Sequence, residues 1–249
     1  MSLDGKVALI SGVGPNIGAE IARHLAANGA AVACMDRNED YAEAAAIAVN
    51  EAGGKAIPVV ADITIPQSVE KAIEHTLSAF GGIHLLVNDA AVSDRKPFLE
   101  ADLADWKMVL DVVLTGTFIV SQQVARHMVA QGEGGAVVNI VSTSGHRGET
   151  ARIAYGTAKS GLLNFTRSMA LQLAPHRIRV NSVTPTLTGT PVGRPESPRD
   201  DASPPSDIPW GRWGRPTDQS QAVLFLLSPE ADFITGIDLP CDGGRLAGF

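Results

Sequence analysis

Several features are scarce or missing in this 249-residue sequence, and each absence narrows the possible functions. Only two cysteines occur, Cys34 and Cys241, each in a short segment typical of a buried strand, so we expect reduced structural thiols. The six histidines show no His-xxx-His spacing and no Cys-xx-Cys pair is present, so we expect no metal site. No apolar run approaches the roughly eighteen residues of a transmembrane helix, and no leader pattern precedes the first apolar segment. These absences predict a cytoplasmic protein without a membrane partner.

The net charge of the chain argues against two kinds of binding partner. The net charge of −7 disfavours nucleic acid and anionic membranes as partners. A hydrophobic fraction of 45% and a charged fraction of 19% are typical of a globular chain with a substantial core. Because doubly wound α/β folds often reach this length as one unit, we expect a single domain over residues 1–249.

Short apolar runs alternate with amphipathic stretches along the chain. Strands are predicted at Val7–Ile10, Ala31–Met35, Ala56–Val60, Leu85–Val87, Ala136–Val141, Ile178–Val183 and Asp238–Cys241. Helices are predicted at Ile17–Asn28, Glu39–Ala52, Pro66–Phe80, Leu103–Gln131, Ala154–Ala174 and Pro216–Leu227. This alternation predicts an α/β fold with a doubly wound, seven-stranded parallel sheet and helices on both faces, in three layers.

Tyr155 and Lys159 are four residues apart, a spacing that places both side chains on one face of a helix. A neighbouring cation favours the phenolate, so Tyr155 is a candidate acid/base, although an isolated Tyr-xxx-Lys is more often a packed Tyr beside a solvated Lys. Ser142 follows the predicted strand that ends just upstream. A glycine-rich turn between the first strand and the first helix, Gly12 to Gly18, is typical of a loop that holds phosphates with backbone N–H groups.

Together these motifs resemble the short-chain dehydrogenase/reductase family from about Leu3 to Gly244. The resemblance implies a Rossmann fold and a nicotinamide cofactor. It also implies hydride transfer between that cofactor and a secondary alcohol or its ketone. Ser142 would bond the substrate oxygen, Tyr155 would exchange the proton, and Lys159 would hold the cofactor ribose and lower the pKa of Tyr155.

The same resemblance implies a set of cofactor contacts. They are Gly12, Asn16, Ile17, Gly18, Asp36, Arg37, Asp62, Ile63, Asn88, Ala90, Tyr155, Lys159, Pro185, Thr188 and Thr190. A carboxylate at Asp36 would bond the ribose hydroxyls and repel a 2′-phosphate, which favours NAD over NADP. Arg37 could pair with a 2′-phosphate instead, and Asp36 could simply cap a turn. Asp62, just before Thr64, is open to the same capping interpretation.

Four residues depart from the family pattern. Asn16 stands where the family has the central glycine of its loop, and we expect it to tolerate a left-handed turn. Asp89 and Thr186 replace an asparagine and a glycine near the cofactor. Val113 replaces the asparagine whose bound water passes protons from the lysine to solvent, so a slower or differently wired relay is predicted. The alternative function is a catalytically weakened nucleotide-binding or structural subunit.

The remaining expectations concern substrate and assembly. Residues 190–216, with Trp210 and Trp213, are predicted to form a substrate lid, the alternative being a solvated surface loop. His146, Arg147 and Arg152 could attract an acidic substrate, although solvated surface charge is the commoner explanation. Extra apolar positions on the two longest helices predict a homotetramer, as is common in the family.

Overall fold

Seven parallel strands form one sheet through the centre of the protein, which is seen here in a computed structural model that describes residues 1–190 and 205–248. The strands are β1 (Val7–Ser11), β2 (Ala31–Asp36), β3 (Lys55–Val60), β4 (Leu85–Asn88), β5 (Gly135–Ile140), β6 (Ile178–Pro185) and β7 (Asp238–Cys241). Their order in the sheet is β3-β2-β1-β4-β5-β6-β7. The predicted strands are all present, and their ends lie within two residues of the predicted ends.

Helices cover both faces of this sheet. They are α1 (Ile17–Ala27), α2 (Glu39–Glu51), α3 (Pro66–Phe80), α4 (Leu103–Leu110), α5 (Thr117–Gln131), α6 (Ile153–Leu173) and α7 (Pro216–Leu227). One face packs apolar side chains of α1, α2 and α7 against the strands, and the other packs those of α3, α5 and α6. The predicted three-layer, doubly wound α/β fold is therefore confirmed.

The strand sequences show why both faces are covered. In β1, Ala8 and Ile10 contribute to the core under α1 and α7, while Leu9 contributes to the core on the opposite face. All five residues of β1 are buried. A strand that is buried on both sides has no solvent-facing position for a polar residue. Its sequence is therefore a nearly continuous apolar run.

The predicted continuous helix over Leu103–Gln131 is interrupted in the structure. A π-helical turn, Asp111–Gly116, separates α4 from α5, and Val113 is fully buried within it. By length and composition this 29-residue stretch could cross a membrane, since an 18-residue window within it has a mean hydropathy of 1.5. Core helices of ordinary α/β proteins pass the same test, and Val120, Val124 and Met128 of α5 pack against the sheet.

The topology also fixes where a ligand can bind. From β1 the chain proceeds to β2 on one side of the sheet and later returns to place β4 on the other side of β1. The strand order therefore reverses between β1 and β4, and the loops after these two strands diverge at their carboxyl ends. In open α/β sheets this divergence creates the binding crevice.

Candidate active site

A cleft of about 680 Å³ lies at this carboxyl edge, a size suited to a cofactor or small substrate. Thirteen of the predicted site residues line it: Gly12, Asn16, Ile17, Asp36, Arg37, Ile63, Ala90, Ser142, Tyr155, Lys159, Pro185, Thr188 and Thr190. The structure thus brings together the turn after β1, the ends of β2 and β6, and the start of α6.

The turn after β1 passes so close to its neighbours that only glycine fits at two positions. Gly12 has φ +88°, and a Cβ there would overlap the backbone of Ala90. A Cβ on Gly18 would overlap the carbonyl oxygen of Gly12. The turn leads directly into the N-terminus of α1, where backbone N–H groups and the helix dipole favour a bound anion. These features fit the pyrophosphate of a dinucleotide, with the turn as its cradle.

Asn16 does not use the left-handed conformation that we expected of it. Its φ is −156°, so the turn accommodates a side chain here without the positive φ that favours glycine. The side-chain amide donates to the carbonyl oxygens of Thr188 at 3.4 Å and Thr190 at 3.0 Å. Asn16 therefore connects the nucleotide turn to the segment after β6, a contact that glycine at this position would lack.

Asp36 lies at the end of β2, with its carboxylate at the edge of the cleft. Burial raises the pKa of this carboxyl, and hydrogen bonds from backbone N–H groups oppose the shift. One of these bonds, from the N–H of Asn38 at 3.0 Å, is the turn contact of the capping interpretation. Arg37 lines the same cleft, so both cofactor alternatives remain compatible with the geometry.

Three predicted cofactor contacts do not line the cleft, and each has another structural role. Asn88 is buried and donates to Ser121 and to Asn139 at 2.9 and 2.8 Å, which ties β4 to α5 and β5. Asp62 accepts from the N–H and the hydroxyl of Thr64, as the capping interpretation predicted. Gly18 lies beneath the turn, against Gly12.

Ser142, Tyr155 and Lys159 meet on the wall of the cleft opposite the nucleotide turn. Lys159 Nζ lies 5.7 Å from the centre of the Tyr155 ring and donates to the carbonyl oxygen of Ile140 at 2.5 Å. The Ser142 hydroxyl, two residues beyond β5, lies near enough to the Tyr155 phenol to lower the pKa of that phenol. Both Tyr155 and Lys159 are buried, at 5% and 2% exposure.

Burial dominates the electrostatics of this trio. It raises the pKa of Tyr155 to about 12, against the opposing effects of the Ser142 hydrogen bond and the Arg152 charge. Burial also lowers the pKa of Lys159, and the negative charge of Asp89 partly offsets that shift. In the protein alone the burial of the phenol therefore outweighs the acidification that we expected from the neighbouring ammonium.

A buried carboxylate that sequence reasoning missed holds the start of α6 in place. Asp94, in the segment after β4, accepts from the backbone N–H groups of Ala154 and Tyr155, both at 3.0 Å. The residue at the N-cap of α6, Arg152, makes no side-chain capping bond. Asp94 takes over that function from a distant part of the chain, and it fixes the helical turn that carries Tyr155.

Two departures from the family pattern lie beside this trio. Val113 packs with Val109, Tyr155 and Leu162, and its carbonyl oxygen accepts from the Thr117 hydroxyl at 2.8 Å. The helix is therefore opened at this point without an asparagine side chain. Asp89 adds a carboxylate to the cleft, and burial raises its pKa while the charge of Lys159 opposes the shift.

The three cationic or titratable residues at the predicted rim have different surroundings. His146 Nε2 lies 3.0 Å from Asp238 Oδ2, and Arg147 pairs with Asp207 at 3.2 Å. Neither residue lines the cleft, whereas Arg152 does. Of these three residues, Arg152 is therefore the one placed to meet a substrate.

Most of the predicted lid, 191–204, lies outside the described residues. In the part that is described, Trp210 is 74% exposed, so its ring is not a buried anchor. The base of the segment is held by Arg245, which bonds Asp207 at 2.8 Å and the hydroxyl of Thr186 at 3.0 Å. Thr186 thus uses a side chain that the glycine of the family pattern does not have.

Comparisons with known proteins agree with this architecture. Residues 12–245 match the family model described as Enoyl-(Acyl carrier protein) reductase. The chain is 38% identical to the 3-oxoacyl-(acyl-carrier-protein) reductase FabG of Aquifex aeolicus, with 98% of both chains covered. It is also 38% identical to the cis-4-hydroxycyclohexanecarboxylate dehydrogenase of Sinomonas cyclohexanicum, with 97% of both covered.

Solved structures agree as well. A short-chain type dehydrogenase/reductase from Mycobacterium marinum superposes with a TM-score of 0.93 at 35% identity, covering 99% of this chain and 98% of that one. Sequence identity at this level over full length, together with the dinucleotide cleft and its Tyr-xxx-Lys helix, identifies the chain as a member of the short-chain dehydrogenase/reductase family of NAD(P)-dependent oxidoreductases.

Proposed function

We propose that this protein is an NAD-dependent oxidoreductase that interconverts a secondary alcohol and its ketone, with Tyr155 as general acid/base. One observation carries the proposal. The Ser142 hydroxyl, the Tyr155 phenol and the Lys159 ammonium share one wall of a cleft whose other end is a glycine turn suited to a pyrophosphate. A proton donor and a dinucleotide cradle in one cleft are what hydride transfer at a carbinol carbon requires.

In the direction of oxidation, the proposed reaction removes one hydride and one proton from the alcohol. When bound, the nicotinamide supplies the acceptor for the hydride that leaves the carbinol carbon. Tyr155, as the phenolate, takes the hydroxyl proton, and the C–O bond becomes a carbonyl. Ser142 donates a hydrogen bond to the substrate oxygen and orients it toward the phenol. Lys159 favours the phenolate through its charge, and in the direction of ketone reduction the same phenol returns the proton.

Asp36 supports NAD as the cofactor. A carboxylate at the end of β2 provides acceptors for two ribose hydroxyls and repels the charge of a 2′-phosphate. Arg37 beside it would favour NADP. We expect a lower Kd for NAD than for NADP by isothermal titration calorimetry, and the reverse order would contradict this choice.

Replacing Tyr155 with Phe tests the proposed role directly. A positioned general acid/base contributes about 10²–10⁴-fold in rate, so kcat of Tyr155→Phe should fall by that factor. The Kd for NAD should stay within about twofold of the parent value, because the ring and Lys159 remain. Turnover is followed by absorbance of the reduced nicotinamide with a panel of alcohols and ketones. Parental turnover in the variant would refute the role, and cofactor binding without turnover of any panel member by the parent would favour the nucleotide-binding subunit.

We further propose a homotetramer assembled through the long helices. Exposed apolar side chains support this arrangement: Met108 of α4 is 46% exposed, Phe118 of α5 45% and Leu171 of α6 79%. Large exposed apolar groups are typical of subunit contacts. Light scattering coupled to size-exclusion chromatography gives the mass directly, and a monomer at micromolar concentration would contradict the proposal.

A further inference from the structure

The charged residues that line the cleft are not distributed evenly. Asp36, Arg37 and Asp89 lie toward the nucleotide turn and the end of β2. On the side of Ser142 and Tyr155, the charged side chains other than Lys159 are Arg95 and Arg152. Of the two carboxylates among the described residues of the cleft, Asp36 ends β2 and Asp89 lies against Gly18 of the turn, from where its charge also acts on Tyr155 and Lys159.

Arg152 lies close to the proposed proton donor. Its guanidinium carbon lies 5.6 Å from the centre of the Tyr155 ring. A substrate whose oxygen is hydrogen-bonded to the phenol can therefore place a second functional group, a few covalent bonds away, against this guanidinium.

A short chain of contacts holds the guanidinium in position. Arg152 Nη2 donates to Glu149 Oε1 at 2.9 Å, and the Ser144 hydroxyl donates to the same oxygen at 2.6 Å. The N–H of Ser144 in turn donates to the Ser142 hydroxyl oxygen at 3.2 Å. Burial opposes ionisation of Glu149, but the bonds from Ser144 and Arg152 hold its pKa below the ordinary value. The Arg152 guanidinium, which would meet the substrate, is thus held in position relative to Ser142, the proposed catalytic serine.

This arrangement leaves Arg152 with donors to spare. A guanidinium has five N–H donors in a planar fork that matches a carboxylate, and among the described residues the bond to Glu149 uses one of them. Because Glu149 already neutralises part of the positive charge, a monoanion matches the site better than a doubly charged phosphate.

We propose that the substrate of this enzyme carries a carboxylate a few bonds from its carbinol or carbonyl carbon, and that Arg152 binds this carboxylate while Tyr155 meets the oxygen. The inference rests on the proposed alcohol/ketone chemistry and names the substrate class for the same site. Arg152 is then a specificity residue, since it distinguishes charged from neutral substrates of the same size.

Matched pairs of substrates test the proposal. The probes are 3-hydroxybutyrate and 4-hydroxycyclohexanecarboxylate, each beside its methyl ester, with NAD at saturation. Turnover is measured by nicotinamide absorbance, and binding of the four probes to the NAD-saturated protein is measured by calorimetry. The variants are Arg152→Gln and, as a matched control, Arg147→Gln, whose parent residue pairs with Asp207 and does not line the cleft.

In the parent protein we expect at least one carboxylate to be favoured over its ester by about tenfold to a hundredfold in kcat/KM or in Kd. Arg152→Gln should lose that preference while it keeps activity or binding toward the ester, and Arg147→Gln should keep the preference. A parent that favours the esters, or binds and turns over none of the acids, overturns the inference. If Arg152→Gln loses activity or binding equally toward the acid and the ester, Arg152 has a structural role only, and the inference is also overturned. Selective binding of acids without any turnover would support the inference and contradict the proposed reaction.

Discussion

Asp94 offers a sharp test of how the structure holds Tyr155 in place. Its carboxylate is 6% exposed and accepts from two backbone N–H groups at the first turn of α6. In Asp94→Ala both N–H groups lose their partner inside the protein. Each buried donor left unpaired costs about 1–3 kcal/mol, so the free energy of unfolding should fall by about 2–6 kcal/mol. Because Tyr155 itself supplies one of the two N–H groups, kcat should fall as well.

The assay combines urea denaturation with steady-state kinetics. Asp94→Asn retains one carbonyl oxygen as an acceptor, so its stability should lie between those of the parent and Asp94→Ala. Asp102→Ala is the control, because Asp102 caps α4 through one exposed bond to the N–H of Asp105, away from the cleft. We expect a smaller loss of stability there and an unchanged kcat. If Asp94→Ala unfolds at the parental urea midpoint with the parental kcat, the assignment of α6 capping to Asp94 is wrong.

Two further predictions concern the departures from the family pattern. Val113→Asn should restore a polar group beside the π-helical turn and raise turnover on a true substrate, at a cost of about 1–3 kcal/mol in stability for burying an amide. Val109→Asn, equally buried, should carry the same cost without the gain, so identical turnover in both variants would make the missing relay irrelevant. Asp89→Asn should stabilise the protein more at pH 8 than at pH 4. A carboxyl with a raised folded-state pKa contributes stability that is lost as the pH rises through that pKa, and asparagine does not titrate. Equal differences in Tm between variant and parent at the two pH values would contradict the burial of this charge.

Periodicity and composition predicted the elements of the fold because five of the seven strands, all except the edge strands β3 and β7, are mostly buried. The run Val7–Ile10 therefore has no polar interruption, and Gly12 follows the end of its strand. The π-helical turn at Asp111–Gly116 was not predictable in this way. One extra residue in a turn shifts the helical phase without changing the apolar character of the segment.

The site was predictable where it depends on local sequence and not where it depends on tertiary contacts. Tyr155 and Lys159 share a helix face because of their spacing, and the structure brings them together with Ser142. The capping of α6 by Asp94 joins residues 60 and 61 positions apart, so no local pattern indicates it. The net effect on the Tyr155 pKa depends on burial, which residue spacing does not report.

The amide of Asn16 has a practical consequence for engineering this scaffold. A design that grafts loops from a related enzyme can exchange the nucleotide-binding turn and the segment after β6 as two separate cassettes. In this protein one side chain joins the first cassette to Thr188 and Thr190 at the root of the second. A graft of the turn that lacks Asn16 removes both bonds, and a graft of the second segment keeps them only if its backbone carbonyls occupy the same positions.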